Sequence, residues 1–261
     1  MIDAAPRILE FQCNICGANC QFPFDQLGRE TDSCKMCHST PRVRAIVDIL
    51  ARHLIGRSIP LPQFPGPLPL RGLGLTDSEN YAARLREKFD YQNTYLHQEP
   101  RFDISAPLAP NRSRAYDFVI ASEIFEHVSP PVSRAFENAC QLLKPGGLFI
   151  LTVPYGTQPE TVEHFPELHD YTIAEVEGRH VLSNRTRQGA MQRYDDLIFH
   201  GGPGSTLEMR IFSESDLNRH LTDAGFSEII FYREPVLPYG IAWPEPWSRP
   251  IAALKSRHSI R

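Results

Sequence analysis

Residues 116–155 read YDFVIASEIFEHVSPPVSRAFENACQLLKPGGLFILTVPY, and the order of elements in this stretch decides the fold. Tyr116 to Ala121 is a short apolar run with β-branched residues, the pattern of a strand covered on both faces. Pro130 and Pro131 can open a helix, where a missing N–H costs nothing. Val132, Phe136, Ala139, Leu142 and Leu143 then recur at helical spacing and make one apolar face. Lys144 suits the negative end of that helix, Pro145-Gly146-Gly147 stops it, and Leu148 to Val153 is a second buried strand. Two apolar strands joined by a crossover helix form a βαβ unit of a parallel sheet. Ligands of such sheets bind beyond the carboxyl ends of the strands. The first strand ends in Ser122-Glu123-Ile124-Phe125-Glu126-His127, which brings two carboxylates, an aromatic ring and an imidazole to that edge.

Upstream, Cys13-Asn-Ile-Cys16 and Cys34-Lys-Met-Cys37 are two CxxC turns separated by 17 residues, a spacing suited to a four-thiolate zinc site. Each turn sets two sulfurs on one side of a tight loop, and two turns complete a tetrahedron around a structural Zn²⁺. Residues 1–40 are therefore expected to form a zinc-ribbon-like module. Cys20 and His38 lie outside the knuckles and are read as a packed or free thiol and an imidazole that hydrogen-bonds a sulfur or faces solvent. Ser39-Thr40-Pro41 caps a connecting helix over residues 41–56, striped by Val43, Ile46, Val47, Leu50 and Leu54. Pro60, Pro62, Pro65, Pro67 and Pro69 mark residues 57–69 as an extended linker.

The 261 residues suffice for one large domain plus this appendage. No run of 18 or more apolar residues suggests a membrane span, and MIDAAPRILEFQC lacks a secretory pattern, so a cytoplasmic protein with reduced thiols is expected. The formal charge of −4 argues against broad binding of phosphate backbones. Lys35, Arg42, Arg44, Arg52 and Arg57, with Asp48 as the single acid between residues 34 and 57, give a mild local basic bias.

YDFVIASEIFEHV, then a helix, then LLKPGGLFILTVP resembles the fourth- and fifth-strand region of class I S-adenosylmethionine-dependent methyltransferases. The resemblance implies an α/β fold, a Rossmann-like, mostly parallel sheet of seven strands with helices on both faces, over residues 70–261. It places the first strand and glycine loop at Leu70-Arg71-Gly72-Leu73-Gly74-Leu75-Thr76-Asp77. Gly72 and Gly74 would let the backbone approach the cofactor, Thr76 would stand where the family has another glycine, and Asp77 would supply a carboxylate or cap the next helix. Glu99, after the second strand, would meet the ribose hydroxyls, and Asp103 with Ile104 the adenine. Glu123 and Phe125 would border the methionyl and adenosyl groups.

After Val153 the regular pattern breaks, and residues 154–206 read as an irregular substrate lid. His127, with His164 and His169 of this insertion, are the candidate proton acceptors, His200 is a further candidate base or substrate ligand, and Gly201 to Gly204 is a turn of the kind that can nest an anion. Glu214 to Ala224 is an amphipathic helix and Ser227 to Arg233 the last strand; Trp243 and Trp247 of the tail are expected to pack on the domain. The implied reaction is methyl transfer from S-adenosylmethionine to a hydroxyl or amine of a small molecule or glycan. An RNA methyltransferase gripping nucleic acid through its zinc module, and a non-catalytic binding protein of the same fold, are the competing expectations.

Overall fold

A computed structural model describes residues 7–202 and 206–257. The central sheet has β1 (Arg71–Leu75), β2 (Asp90–Thr94), β3 (Tyr116–Ser122), β4 (Leu143–Thr152), β5 (Phe226–Phe231) and β6 (Ile251–Lys255). They hydrogen-bond in the order β5-β6-β4-β3-β1-β2. The four strands β4, β3, β1 and β2 are parallel; β6 runs antiparallel to both of its neighbours. The expected Rossmann-like sheet is present, but it has six strands among the described residues rather than seven. Just after β2 a single parallel bridge forms among the described residues, between Tyr95 and Arg101.

Helices α1 (Pro41–Leu50) and α2 (Glu79–Arg86) cover one face; α3 (Ser133–Leu142) and α4 (Glu214–Asp223) cover the other. Thr40 caps α1 by accepting the Val43 N–H, and Gly56, at φ 81°, closes the turn that follows the helix. The apolar alternation of β4 divides between the faces: Phe149 and Leu151 pack with α3 and α4, Leu148 and Ile150 with α1 and α2. The core on the α1 side also contains Cys13, Ile15, Cys34 and Cys37. The cysteine module and the sheet thus share one hydrophobic interior. The proline-rich stretch joins it too, since Leu61 and Phe64 are buried and the Leu61 N–H bonds the Asn14 carbonyl at 2.7 Å.

Three further features differ from the sequence expectation. β4 begins at Leu143, directly after α3, and passes through Lys144-Pro145-Gly146-Gly147 with a register shift. Lys144 pairs with Asp117 at 2.7 Å rather than resting on the helix end. The last strand among the described residues is β6, inserted between β4 and β5, in a tail expected only to pack its tryptophans; Trp247 itself is 41% exposed. The insertion is not irregular. Residues Asp170–Val176, Arg179–Arg185 and Met191–Tyr194 form a three-stranded antiparallel sheet, turned at Glu177-Gly178, both with positive φ. Its small core is Phe165, Leu182, Leu207 and Met209. Strand Arg210–Ser213 bonds the two-residue strands Tyr155–Gly156 and Val162–Glu163, tying the insertion back to the sheet edge. The Gly201–Gly204 turn lies partly outside the described residues. No helix among those residues is long and apolar enough to cross a membrane.

Candidate functional site

A cavity of about 760 Å³ opens at the carboxyl ends of β1, β2 and β3. Leu75 and Thr76 lie at the end of β1 beneath it, Thr94 ends β2 and leads into Tyr95 to Gln98, and Ser122 ends β3 and leads into Glu123 and Ile124. Phe102, Asp103, Ile104 and Ser105 form a further wall. Asp103 Oδ1 accepts the N–H and hydroxyl of Ser105 at 2.8 and 2.7 Å, and Asn138 of α3 donates to the Ile104 and Ala106 carbonyls. This loop is therefore held in shape from below. Glu99 is not on the wall; it is exposed and accepts the Arg101 N–H.

Thr76 and Glu123 both have positive φ, 57° and 56°, at the two strand ends that face the cavity. Such strain in residues other than glycine clusters at functional sites. Thr76 thus adopts the conformation that a glycine would adopt more readily. Gly72 and Gly74 themselves lie inside β1, not in the loop, and do not line the cavity. A Cβ at Gly72 would enter the Phe118 ring, and one at Gly74 would collide with Tyr91 Oη and the Asp77 carboxylate. Their smallness serves packing beneath the strand. Asp77 is buried there too, bonded by the Tyr91 hydroxyl, and burial pushes its carboxyl up to about 7.

The cysteine module supplies part of the cavity wall, which sequence reasoning did not foresee. Arg29 donates to both carboxylate oxygens of Glu123, at 2.7 and 3.1 Å, and to the Ser248 carbonyl. Arg42 forks onto Glu30 at 2.6 and 2.9 Å and bonds Ser122 Oγ; Glu30 and Arg42 both line the cavity. Burial alone would raise Glu123, but the charge and hydrogen bonds of Arg29, with the charge of Arg42, hold its carboxyl below the usual range. The sequence signal was present only as the weak basic bias around Arg42. Part of that bias is spent internally, since Arg44 is buried and Arg52 pairs with Asp48, while Lys35 and Arg57 are exposed.

The Phe125–His127 turn after β3 was expected to present the Phe125 ring to the ligand. Instead Phe125 is fully buried against Phe136 and Phe149, and Glu126 is fully buried beside it. Both Glu126 carboxylate oxygens lack a hydrogen-bond partner, and burial, with the nearby charge of Glu123, raises its carboxyl well above the ordinary range. Arg210, also fully buried, donates to the Phe125 and Val128 carbonyls and to Glu163, and Met209 N–H bonds the Glu126 carbonyl. The turn is fixed by the strand that ends the insertion.

His127 lines the cavity, with Nδ1 2.9 Å from the Leu207 carbonyl. A carbonyl only accepts, so Nδ1 carries the proton and Nε2 holds the lone pair. Burial lowers the basicity of this imidazole. His200 stands edge-on to it, ring centroids 4.9 Å apart, and also lines the cavity. Glu208 bridges His200 and His164 at 3.0 and 2.9 Å. His164 thus sits behind the wall rather than on it, and His169 is exposed, with its backbone N–H on Asn184.

The four sulfurs of Cys13, Cys16, Cys34 and Cys37 lie within 4.8 Å of one another, with no disulfide among them. Cys13 and Cys37 approach to 3.6 Å, and their shared hydrogen bond drives Cys13 down to about 4 and Cys37 upward. Behind them the buried Arg44 guanidinium bonds Ser39, Ser33 and the Gly240 carbonyl and stacks on Phe11. Cys20 is outside the cluster and His38 is exposed against Asp32.

A family model described as a methyltransferase domain matches residues 66–229. Among solved structures, the chain is similar to an amino pentose methyltransferase of calicheamicin biosynthesis from Micromonospora echinaspora, solved with S-adenosylmethionine bound. The two are 14% identical over 84% of this chain and 92% of that one, with a TM-score of 0.47. A 1,6-didemethyltoxoflavin-N1-methyltransferase from Burkholderia thailandensis, solved with 1,6-didemethyltoxoflavin and S-adenosylhomocysteine, is 16% identical over 80% and 75% of the two chains, with a TM-score of 0.43. A sugar N-methyltransferase from Streptoalloteichus sp ATCC 53650 is 14% identical over 73% and 81%, also at 0.43. No curated protein matches the chain in sequence.

Proposed function

This chain belongs to the methyltransferase domain family, and we propose that it transfers a methyl group from S-adenosylmethionine to a hydroxyl or amine of a small molecule or glycan. The observation that carries this reading is the continuous cavity spanning the carboxyl ends of β1, β2 and β3. Its size and composition fit an adenosyl sulfonium: a sheltered apolar corner at Phe102 and Ile104, polar groups at Asp103 and Glu123, and a guanidinium at Arg42. When bound, the cofactor supplies an activated methyl carbon on a positively charged sulfur.

In this assignment Asp103 and Ile104 hold the adenine and Glu123 borders the methionyl amine. Arg42, already at the rim, pairs with the methionyl carboxylate. Gly72, Gly74 and Asp77 act beneath the strand, shaping the pocket floor through Phe118 and Tyr91. The protein's main task is to align a substrate nucleophile with methyl carbon and sulfur and to exclude water. His127 Nε2 is the basic atom on the wall to which a hydroxyl or ammonium proton can pass. His164 serves through Glu208, and His169 takes no part.

The cluster of Cys13, Cys16, Cys34 and Cys37 is proposed to hold a structural Zn²⁺, which fits its donor set and spacing. The module then braces the cofactor rim instead of reaching outward, because Arg29, Arg44 and Arg52 are engaged within the chain. That engagement favours a small substrate over RNA. Calorimetric titration with S-adenosylmethionine tests the reading. Micromolar binding that Glu123→Ala weakens at least tenfold is expected; absence of binding by the zinc-loaded chain would remove the assignment.

A further inference from the structure

We propose that Glu126, His127 and His200 form a second metal site, for a divalent first-row transition ion, in the wall of the cofactor cavity. One ligand atom from each of the three lies within 4.8 Å of the others. Two of the residues, His127 and His200, line the cavity, and Glu126 stands behind them.

Glu126 carries the argument. It is fully buried, and neither carboxylate oxygen has a hydrogen-bond partner. Buried carboxylates are almost always paired, hydrogen-bonded or bound to metal, because leaving two oxygens unsatisfied is costly. His127 Nε2 lies 3.6 Å from Glu126 Oε1. That is the nitrogen that bears the lone pair, so it offers no proton to the carboxylate. A cation between them satisfies both. The flanking architecture matches that use. The other nitrogen of His127 is anchored on the Leu207 carbonyl, and His200 is anchored on Glu208. Such outer partners fix ring orientation and raise the basicity of metal-ligating histidines. Arg210 and Met209 lock the turn that carries Glu126 and His127. The rigidity comes before any ion arrives.

Two imidazoles and one carboxylate suit the ions from manganese to zinc better than magnesium or calcium, which prefer all-oxygen shells. Three protein donors leave coordination positions open toward the cavity, where water or a substrate oxygen fits. The binding claim stands apart from the methyl-transfer reading. What the ion does rests on that reading: with the ion bound, His127 Nε2 is a ligand in place of a proton acceptor, and the ion selects a hydroxyl substrate whose oxygen it can bind and acidify.

The test is titration of the zinc-loaded, full-length chain with Co²⁺, followed by absorption spectroscopy and by metal analysis after gel filtration. The expected result is one Co²⁺ per chain with d–d bands but no thiolate charge-transfer absorption, while the zinc content stays unchanged. His200→Ala and His127→Ala should each weaken Co²⁺ binding at least tenfold, with unaltered circular dichroism and one zinc retained. No Co²⁺ uptake at millimolar concentration, uptake only with displacement of zinc, or undiminished affinity in both histidine variants would overturn the site. S-adenosylmethionine titration of the same samples reports separately on the cofactor cavity. Binding of cofactor without cobalt removes the metal site alone, and binding of cobalt without cofactor removes the methyl-transfer reading alone.

Discussion

Arg29, in the loop between the two cysteine knuckles, grips both oxygens of Glu123, 94 residues away at the end of β3. Fork-shaped pairing of this kind fixes direction as well as distance. The knuckle loop and the carboxyl edge of the sheet are therefore directly joined.

Arg29→Ala leaves Glu123 without its partner. The pair is only partly exposed, 17% and 25%, so a loss of about 1–3 kcal/mol in stability is expected, below the figure for a fully buried pair. A double-mutant cycle with Glu123→Ala in urea unfolding measures the coupling. Additive effects would show that the contact contributes nothing. Arg29→Ala should also loosen S-adenosylmethionine binding, because it frees Glu123 from its strained backbone position.

Arg42 offers a sharper probe of the cofactor pose. Arg42→Gln should reduce affinity for S-adenosylmethionine about tenfold, or about 1.4 kcal/mol. It should leave affinity for decarboxylated S-adenosylmethionine nearly unchanged. Calorimetry with the two ligands checks this, and equal losses for both would place the methionyl carboxylate elsewhere.

Asp77 should make folding sensitive to pH. Its folded pKa is about 7, against an ordinary value near 4 in the unfolded chain. Between those limits the native state holds a proton that the unfolded state has released. Stability from this group is full below about pH 4 and declines as pH rises to about 7, by up to about 1.4 kcal/mol per pH unit. Asp77→Asn should remove that slope. Urea midpoints of the wild type and the variant, compared from about pH 4.5 to about pH 8 in steps of roughly half a unit, decide the point. Parallel curves would mean that Asp77 is ionised in the folded protein.

Zinc removal should reach beyond the knuckles. Cys13, Cys34 and Cys37 share a core with α1 and with Phe118 of β3. Chelation, or Cys34→Ser, should lower Tm and also weaken S-adenosylmethionine binding, since Arg29 and Arg42 lose their support. Metal analysis after dialysis, expected at one zinc per chain retained by the four thiolates, and differential scanning calorimetry follow both effects. An unchanged Tm after complete zinc loss would leave the cluster without a structural role.

Local signals made the βαβ unit, the α1 cap and the cysteine knuckles legible, because each is written in a few neighbouring residues. The contributions of Arg29 and Arg42 were not legible, since their partners lie 94 and 80 residues away. Phe125 and Glu126 were ambiguous for a different reason. A short 3₁₀ turn has no strong periodicity, so sequence spacing does not say which side chain enters the core. The strands of the insertion escaped notice because Asp170–Val176 is exposed along most of its length and lacks a buried alternation. Gly72 and Gly74 resembled loop glycines but answer to the rings of Phe118 and Tyr91, neighbours that only the folded sheet brings to them.

The position of β6 has a bearing on how the chain matures. It fills the slot between β4 and β5, and Lys255 ties it to the Cys140 and Leu143 carbonyls. During synthesis on the ribosome, β4 and β5 emerge before the segment that joins them. Without that segment β5 has no hydrogen-bonded neighbour in the sheet, since its ladder runs to β6 alone. The sheet therefore closes only when Ile251–Lys255 has paired with both of its neighbours, the latest in the chain of the six strands to join.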